Sequence, residues 1–258
     1  MKKTSLKHKL KNNELTIGSW IMMNNPMTIE VMALAGFEWM VIDIEHTSID
    51  LETTENLIRT IEANNMSSLV RVGKNDEVII KKVLDMGANG IIVPMVCSKE
   101  DALQAVNYCK YPPHGKRGVG LYRASGYGLK FEKYKEWVES ELVIIAQIEH
   151  INAIDKIDEI LSVDGIDAAL IGPYDLSASF GHPGDYENEN VKEAIKKIQL
   201  KCKEYNMPAG FHVVDTNSKK LNLKIDQGYS FLAYGIDYFF LRDSAISGMD
   251  KIREKINK

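Results

Sequence analysis

The chain has 258 residues, 45% of them apolar and 26% charged, with a formal net charge of −4. This is the balance of an ordinary globular protein, long enough to bury a large core without disulfide or metal staples. The acidic balance excludes a basic nucleic-acid-binding domain, and no run approaches the roughly 18 apolar residues of a membrane span. Residues 1–14 (MKKTSLKHKLKNNE) form a polar N-terminal segment. They start like the charged region of a signal peptide, but Asn12, Asn13 and Glu14 stand where its apolar region would follow. Cys97, Cys109 and Cys202 are odd in number and lack metal-site spacing, which predicts reduced thiols and a cytoplasmic protein.

In chain order, eight short apolar or β-branched runs read as strands: 16–22, 38–43, 67–72, 90–96, 142–149, 168–172, 208–214 and 229–235. Several are apolar along their whole length, as parallel strands covered on both faces are. Helical patterns alternate with them, among them PMTIEVMALAG, LETTENLIRTIEANN, DEVIIKKVLDMGA and VKEAIKKIQLKCKEYN. Gly36 and Gly87 stand where helix-ending glycines belong. No linker divides the chain, so residues 1–258 are expected to form one domain. Strand–helix alternation repeated eight times predicts an α/β fold, a (β/α)₈ TIM barrel, with the doubly wound open sheet as the alternative. The longest connection, residues 111–130, is glycine-rich and basic and is expected to be a functional loop on the active-site side.

A barrel of this kind gathers its chemistry at the C-terminal ends of its strands. Those ends carry Trp20; Asp43, Glu45 and His46; Arg71; Gln147 and Glu149; Gly172, Pro173 and Asp175; and His212. Glu149 and Asp175, on consecutive strand ends, suit a hard octahedral cation such as Mg²⁺ or Mn²⁺ that keeps waters for a substrate to displace. Either alone also suits a helix cap or a surface ion pair. The Gly172–Pro173 turn beside a helix start offers backbone amides to a small carboxylate. Arg71 cannot shed its charge, so it needs an anion, either a substrate carboxylate or enolate or the Asp43 side chain. Of the six histidines, His8, His114 and His182 read as solvated, His150 adjoins Glu149, and His212 lies within a strand. His46, at a strand end, is the best-placed proton-transfer group.

The motifs GSW (18–20), AGFEWMVIDIEH (35–46), VRVG (70–73), IKKVLDMGANGIIVPMV (80–96), YPPHGKRGVG (111–120), QIE (147–149) and IGPYDLSASFGHPGD (171–185) run in this order along the chain. Over roughly residues 14–245 it resembles the HpcH/HpaI aldolases, metal-dependent class II pyruvate aldolases of the aldolase/citrate-lyase superfamily. The resemblance implies that Glu149 and Asp175 bind a divalent metal, Mg²⁺ or Mn²⁺ with Co²⁺ as a further candidate. It implies that Trp20, Gln147, Gly172 and Pro173 bind pyruvate, that Arg71 stabilises its enolate, and that His46 is the acid/base group, paired with Asp85. Asp43, Glu45 and His212 are expected in supporting positions.

The reaction implied is cleavage or formation of 4-hydroxy-2-oxo acids, such as 4-hydroxy-2-oxoheptanedioate or 2-keto-3-deoxy sugar acids, through a metal-stabilised pyruvate enolate. The partners implied are a 2-oxo acid, an aldehyde and further copies of the chain, with a hexamer expected. Ile44 replaces a glycine common in the family, Tyr174 replaces a small residue, and the stretch HVVD (212–215) also departs from it. Alternatives are a condensing synthase, citrate-forming or siderophore-related, and a non-catalytic barrel that binds a metal and an oxo acid. A Schiff-base route is disfavoured because Lys74, the nearest lysine, follows Gly73 beyond the strand.

Overall fold

The computed structural model describes residues 5–256, so the first four residues of the polar N-terminal segment lie outside the described residues. The first half contains α1 (Leu6–Lys11), β1 (Thr16–Ile21), α2 (Pro26–Ala33), β2 (Trp39–Asp43), α3 (Leu51–Ala63), β3 (Ser67–Arg71), α4 (Glu77–Asp85) and β4 (Gly90–Val93). Then come α5 (Lys99–Cys109), α6 (Phe131–Ser140), β5 (Val143–Ile148), α7 (Ile151–Asp155), α8 (Ile157–Leu161) and β6 (Ala168–Ile171). The chain closes with α9 (Pro173–Ser179), α10 (Glu189–Glu204), β7 (Ala209–Val213), α11 (Ser218–Asp226), β8 (Phe231–Ile236) and α12 (Asp237–Ile256). All eight predicted strands form, and they close in sequence order into one parallel barrel. The open sheet is therefore excluded.

Alternation along each strand separates two cores. Met40, Ile42, Val70, Ile144, Ala146 and Ile148 face the helices, while Trp39, Val41, Leu69, Val143, Ile145, Ala168, Leu170, Phe231 and Ala233 fill the barrel interior. Trp39 stacks on Phe231, with ring centroids 4.4 Å apart, and its indole N–H donates to Thr16 Oγ1 at 3.1 Å. Gly18 makes room for this pair, since a Cβ there would lie 2.0 Å from the Trp39 ring.

The N-terminal segment is more than a polar lead-in. Ser5 caps α1, and Leu6 and Leu10 are buried with the barrel interior, closing its floor. Spacing of four places both leucines on one helix face, a pattern the surrounding lysines conceal.

The connection 111–130 is not on the active-site side of its own chain. It packs against the ends of α3 and α4 that precede the next strands, at the opposite rim. There buried Arg117 pairs with Asp85 at 2.5 Å, and Arg123 donates to the Met86 carbonyl at 2.7 Å and pairs with Glu62. Because α5 runs back down the barrel, the loop that follows it begins at the floor. Val119, Leu121, Tyr127 and Leu129 nevertheless stay exposed.

Helix α12 departs from the barrel after its first turns. Asp237 is its one fully buried residue, and residues 244–256 are exposed throughout, Ile246, Met249, Ile252 and Ile256 included.

Candidate active site

Residue parity carries the two-layer core into the chemistry. Two residues beyond each inward apolar position comes a polar or small one: Val41 leads to Asp43, Leu69 to Arg71, Ile145 to Gln147 and Leu170 to Gly172. Arg71, Gln147 and Gly172, together with Trp20 and His212, line a cavity of about 380 Å³ at the C-terminal rim, which His46, Pro173, Tyr174 and Asp175 also border; Asp43 lies behind Arg71.

Asp43 and Arg71 are direct cross-strand neighbours in the β2–β3 register, so their side chains share one face. The guanidinium bonds the fully buried carboxylate twice, Nε to Oδ1 at 3.1 Å and Nη2 to Oδ2 at 2.6 Å. The same carboxylate accepts the Glu45 and His46 amides at 3.0 and 3.4 Å, and Thr47 donates to the Asp43 carbonyl. The turn 44–47 is thus wound around Asp43. Burial pushes the Asp43 carboxyl up, but the Arg71 bonds and charge outweigh it and hold the group below its ordinary value. Of the two readings of Arg71, the structural pair with Asp43 forms, yet the guanidinium also lines the cavity. It lies 3.3 Å from Glu45 and 5.3 Å from the centre of the Trp20 ring.

The other face of Trp20 belongs to His212, stacked at 4.5 Å and 15°. Its Nε2 donates to the Gly235 carbonyl at 3.0 Å, which fixes the tautomer. Burial lowers its pKa to about 4, so the ring is neutral at pH 7. His46 is more open, its side chain 58% exposed and its Nε2 3.8 Å from Glu45. Ile44 turns its side chain to the outer core, which explains why a large apolar residue is tolerated in this turn.

Glu149 follows β5 and is 3% exposed. Its Oε1 accepts the Met95 amide at 2.8 Å, and its Oε2 accepts from Gln147. Gln147 Oε1, buried in the cavity wall, has no partner within the protein. Gly172 is dictated by this packing, because a Cβ there would lie 2.5 Å from Glu149 Oε2. Pro173 opens α9 at its first position, and Asp175 occupies the first turn. Burial raises the Glu149 carboxyl to about 7, against hydrogen bonds that lower it, with the Asp175 and Glu45 charges adding to the rise. Glu45 is raised by burial as well.

A buried carboxylate, Glu149, that feels the charge of a second one at the cavity mouth, Asp175, is a donor set that a hard divalent cation relieves. Among the described residues no cluster of three or more His, Cys, Asp or Glu side chains is placed to hold a metal, so Glu149 and Asp175 suit an ion that completes its shell with water or substrate oxygens. Lys74 is 71% exposed and pairs with Asp76, outside the cavity.

Asp85 does not pair with His46 in this chain. It ends α4 at the floor of the barrel, where Arg117 holds it. Several cavity residues were not among the strand-end candidates: Met22, Val214, Ile236, Tyr238 and Phe239. Asp237 was missed too. Its carboxylate accepts the Met22, Met23 and Tyr238 amides at 3.1, 2.9 and 2.8 Å, tying the end of β1 to the start of α12. A strand end read two residues further, past Gly235, finds it.

The raised Glu149 pKa gives a signed pH dependence. Between its ordinary value of 4.5 and about 7 the folded state binds more protons than the unfolded one, so this group's contribution to stability falls as pH rises. In urea unfolding with chelator present, Glu149→Gln should gain stability relative to the parent protein across that range and hold the gain above it. A pH-independent difference between the two proteins would contradict the assignment.

Comparison with known proteins is consistent with this geometry. Residues 16–244 match the family model described as HpcH/HpaI aldolase/citrate lyase. The chain is 33% identical to a 2-dehydro-3,6-dideoxy-6-sulfogluconate aldolase of Pseudomonas putida, covering 92% of each protein. It is 36% identical to a pyruvate aldolase of Rhizobium etli, covering 91% of this chain and 92% of that protein. The crystal structure of the citrate synthase SbnG superposes with a TM-score of 0.87 at 29% identity, covering 98% of this chain and 99% of that one. The chain belongs to the HpcH/HpaI aldolase/citrate lyase family.

Proposed function

We propose that the protein is a class II pyruvate aldolase that cleaves or forms 4-hydroxy-2-oxo acids. The observation that carries this reading is one rim cavity lined by the fixed Arg71 guanidinium and the exposed Asp175 carboxylate, with buried Glu149 directly behind its Gln147–Gly172 wall. A divalent cation held by Glu149 and Asp175, Mg²⁺ or Mn²⁺ and by the same chemistry Co²⁺, supplies the Lewis acidity that favours enolisation of a 2-oxo acid. Gln147 and the Gly172–Pro173 backbone orient pyruvate, and Trp20 flanks it. Arg71 presents positive charge where enolate charge develops, and Asp43 has already fixed its direction, so no reorganisation is needed during the reaction. In cleavage His46 assists removal of the C4 hydroxyl proton, the C3–C4 bond breaks, an aldehyde leaves, and C3 of the pyruvate enolate takes up a proton. The three thiols, free in the fold, suit a cytoplasmic enzyme.

The second reading is a condensing synthase, favoured by the likeness to SbnG. It uses the same enolising half and differs in the carbonyl partner.

Asp85 enters this scheme through a second copy of the chain. If it pairs with His46, it does so across a subunit interface, because in its own chain it lies at the far rim. The exposed apolar side chains of the 111–130 loop and of α12 suit such an interface and a homo-oligomer, a hexamer in our reading.

Two outcomes follow. With pyruvate and Mn²⁺ or Mg²⁺ in D₂O, NMR should record metal-dependent loss of the methyl protons, and Arg71→Ala should slow it about 10²–10³-fold. Exchange that survives chelation in full would refute the metal-assisted reading. Mixed oligomers of His46→Ala and Asp85→Ala chains should recover cleavage activity that neither variant has alone; absence of recovery from correctly assembled mixtures would place Asp85 outside the site.

A further inference from the structure

We propose that the carbonyl partner of this enzyme is an uncharged aldehyde with an apolar chain; this rests on the aldolase reading above. The cavity has two unlike walls, and strand order sets them apart. Apart from His212 of β7, whose ring is stacked on Trp20, its ionisable groups and the Gln147 amide come from β2, β3, β5 and the start of α9, through His46, Arg71, Gln147 and Asp175. The contiguous arc β7–β8–β1 supplies Val214, Ile236, Tyr238, Phe239 and Met22.

Tyr174 adds a further aromatic ring at the mouth, 55% exposed and braced edge-on against Tyr186 at 5.2 Å. It stands beside Asp175, next to the place where the carbonyl partner must meet the enolate. Tyr174 and Tyr238 offer hydroxyls as their polar tips.

The apolar wall is held in place before any substrate arrives. The Asp237 carboxylate accepts the amides of Met22, Met23 and Tyr238, so the end of β1 is tied to the start of α12. Tyr238 and Phe239 pack edge to face at 4.9 Å.

Cations available to an anionic tail are few. No lysine is among the cavity-lining residues, and Arg71, their one guanidinium, already faces Asp43 and Glu45. Arg242 lies 3.8 Å from the centre of the Phe239 ring, and its Nε is bound to Asp243 at 2.7 Å. A carboxylate or sulfonate tail on the aldehyde would be desolvated against side chains that offer no counter-charge, whereas an alkyl or aryl tail gains burial.

In the condensation the pyruvate methyl group loses a proton, C3 bonds to the aldehyde carbon, and the aldehyde oxygen takes up a proton. The product is a 4-hydroxy-2-oxo acid whose tail lies on the β7–β8–β1 arc.

The test is an acceptor panel with the Mn²⁺-loaded full-length protein and pyruvate: butanal and benzaldehyde against glyoxylate and succinic semialdehyde. The kcat/KM for both apolar aldehydes should exceed that for both anionic ones by at least about tenfold. Val214→Lys, or Met22→Lys if the first variant does not fold, should shift the ratio toward the anionic aldehydes by at least about tenfold. Anionic preference in the parent protein, no turnover of either apolar aldehyde, or an unmoved ratio in the folded lysine variant would overturn the proposal. Pyruvate methyl exchange measured without aldehyde separates the two levels. If exchange persists, such a result overturns only the acceptor class; if exchange is absent, the aldolase reading falls and the proposal with it.

Discussion

Closure of the parallel sheet between β1 and β8 is the constraint on which the site depends. Once all eight strands run the same way around a closed barrel, their C-terminal ends meet at one rim and alternation decides which side chains point inward. Residues as far apart in sequence as Trp20 and His212 can then stack at 4.5 Å. The register between β2 and β3 sets Asp43 opposite Arg71, which converts a sequence separation of 28 residues into a two-pronged ion pair. A slip of one residue in either strand would turn that strand's charge into the apolar layer beneath the helices and leave the other unpaired.

Arg71 is central to the electrostatics that follow. It balances fully buried Asp43 and lies close to Glu45, while Asp175 at the cavity wall and Glu149 behind it add further negative charge. One guanidinium among four carboxylates leaves the rim with an excess of negative charge, which adds to the burial that raises the pKa values of Glu149 and Glu45. In the proposed reading, a divalent cation at the Glu149–Asp175 pair would answer that excess and leave Arg71 to face the substrate. Asp43 spends its hydrogen-bonding capacity on Arg71 and on the Glu45 and His46 amides, so its role is to position both the guanidinium and the His46 turn.

Much of this was legible in the sequence because strands of a closed parallel barrel are apolar on both faces and stop abruptly where the rim begins. All eight runs were readable, and so were the rim residues Trp20, Asp43, Arg71, Gln147, Glu149, Asp175 and His212. What escaped depended on direction rather than composition. Helix α1 looks polar because Leu6 and Leu10 are isolated among lysines, and burial becomes apparent only once the floor they close is known. The 111–130 loop has the composition of an active-site loop, yet it follows a helix and therefore starts at the opposite rim. Asp85 sits at that rim for the same reason, since α4 runs downward. Met22, Val214 and Phe239 are ordinary apolar residues whose place in the cavity wall follows from the β7–β8–β1 arc.

The central claim is that Glu149 and Asp175 together hold one divalent cation in this cavity. Its most direct test is an Mn²⁺ titration followed by the electron paramagnetic resonance signal of the free aqueous ion. The parent protein should suppress that signal up to about one ion per chain, and the Glu149→Gln/Asp175→Asn double variant should leave it as in buffer. Equal suppression by the folded double variant would contradict the claim.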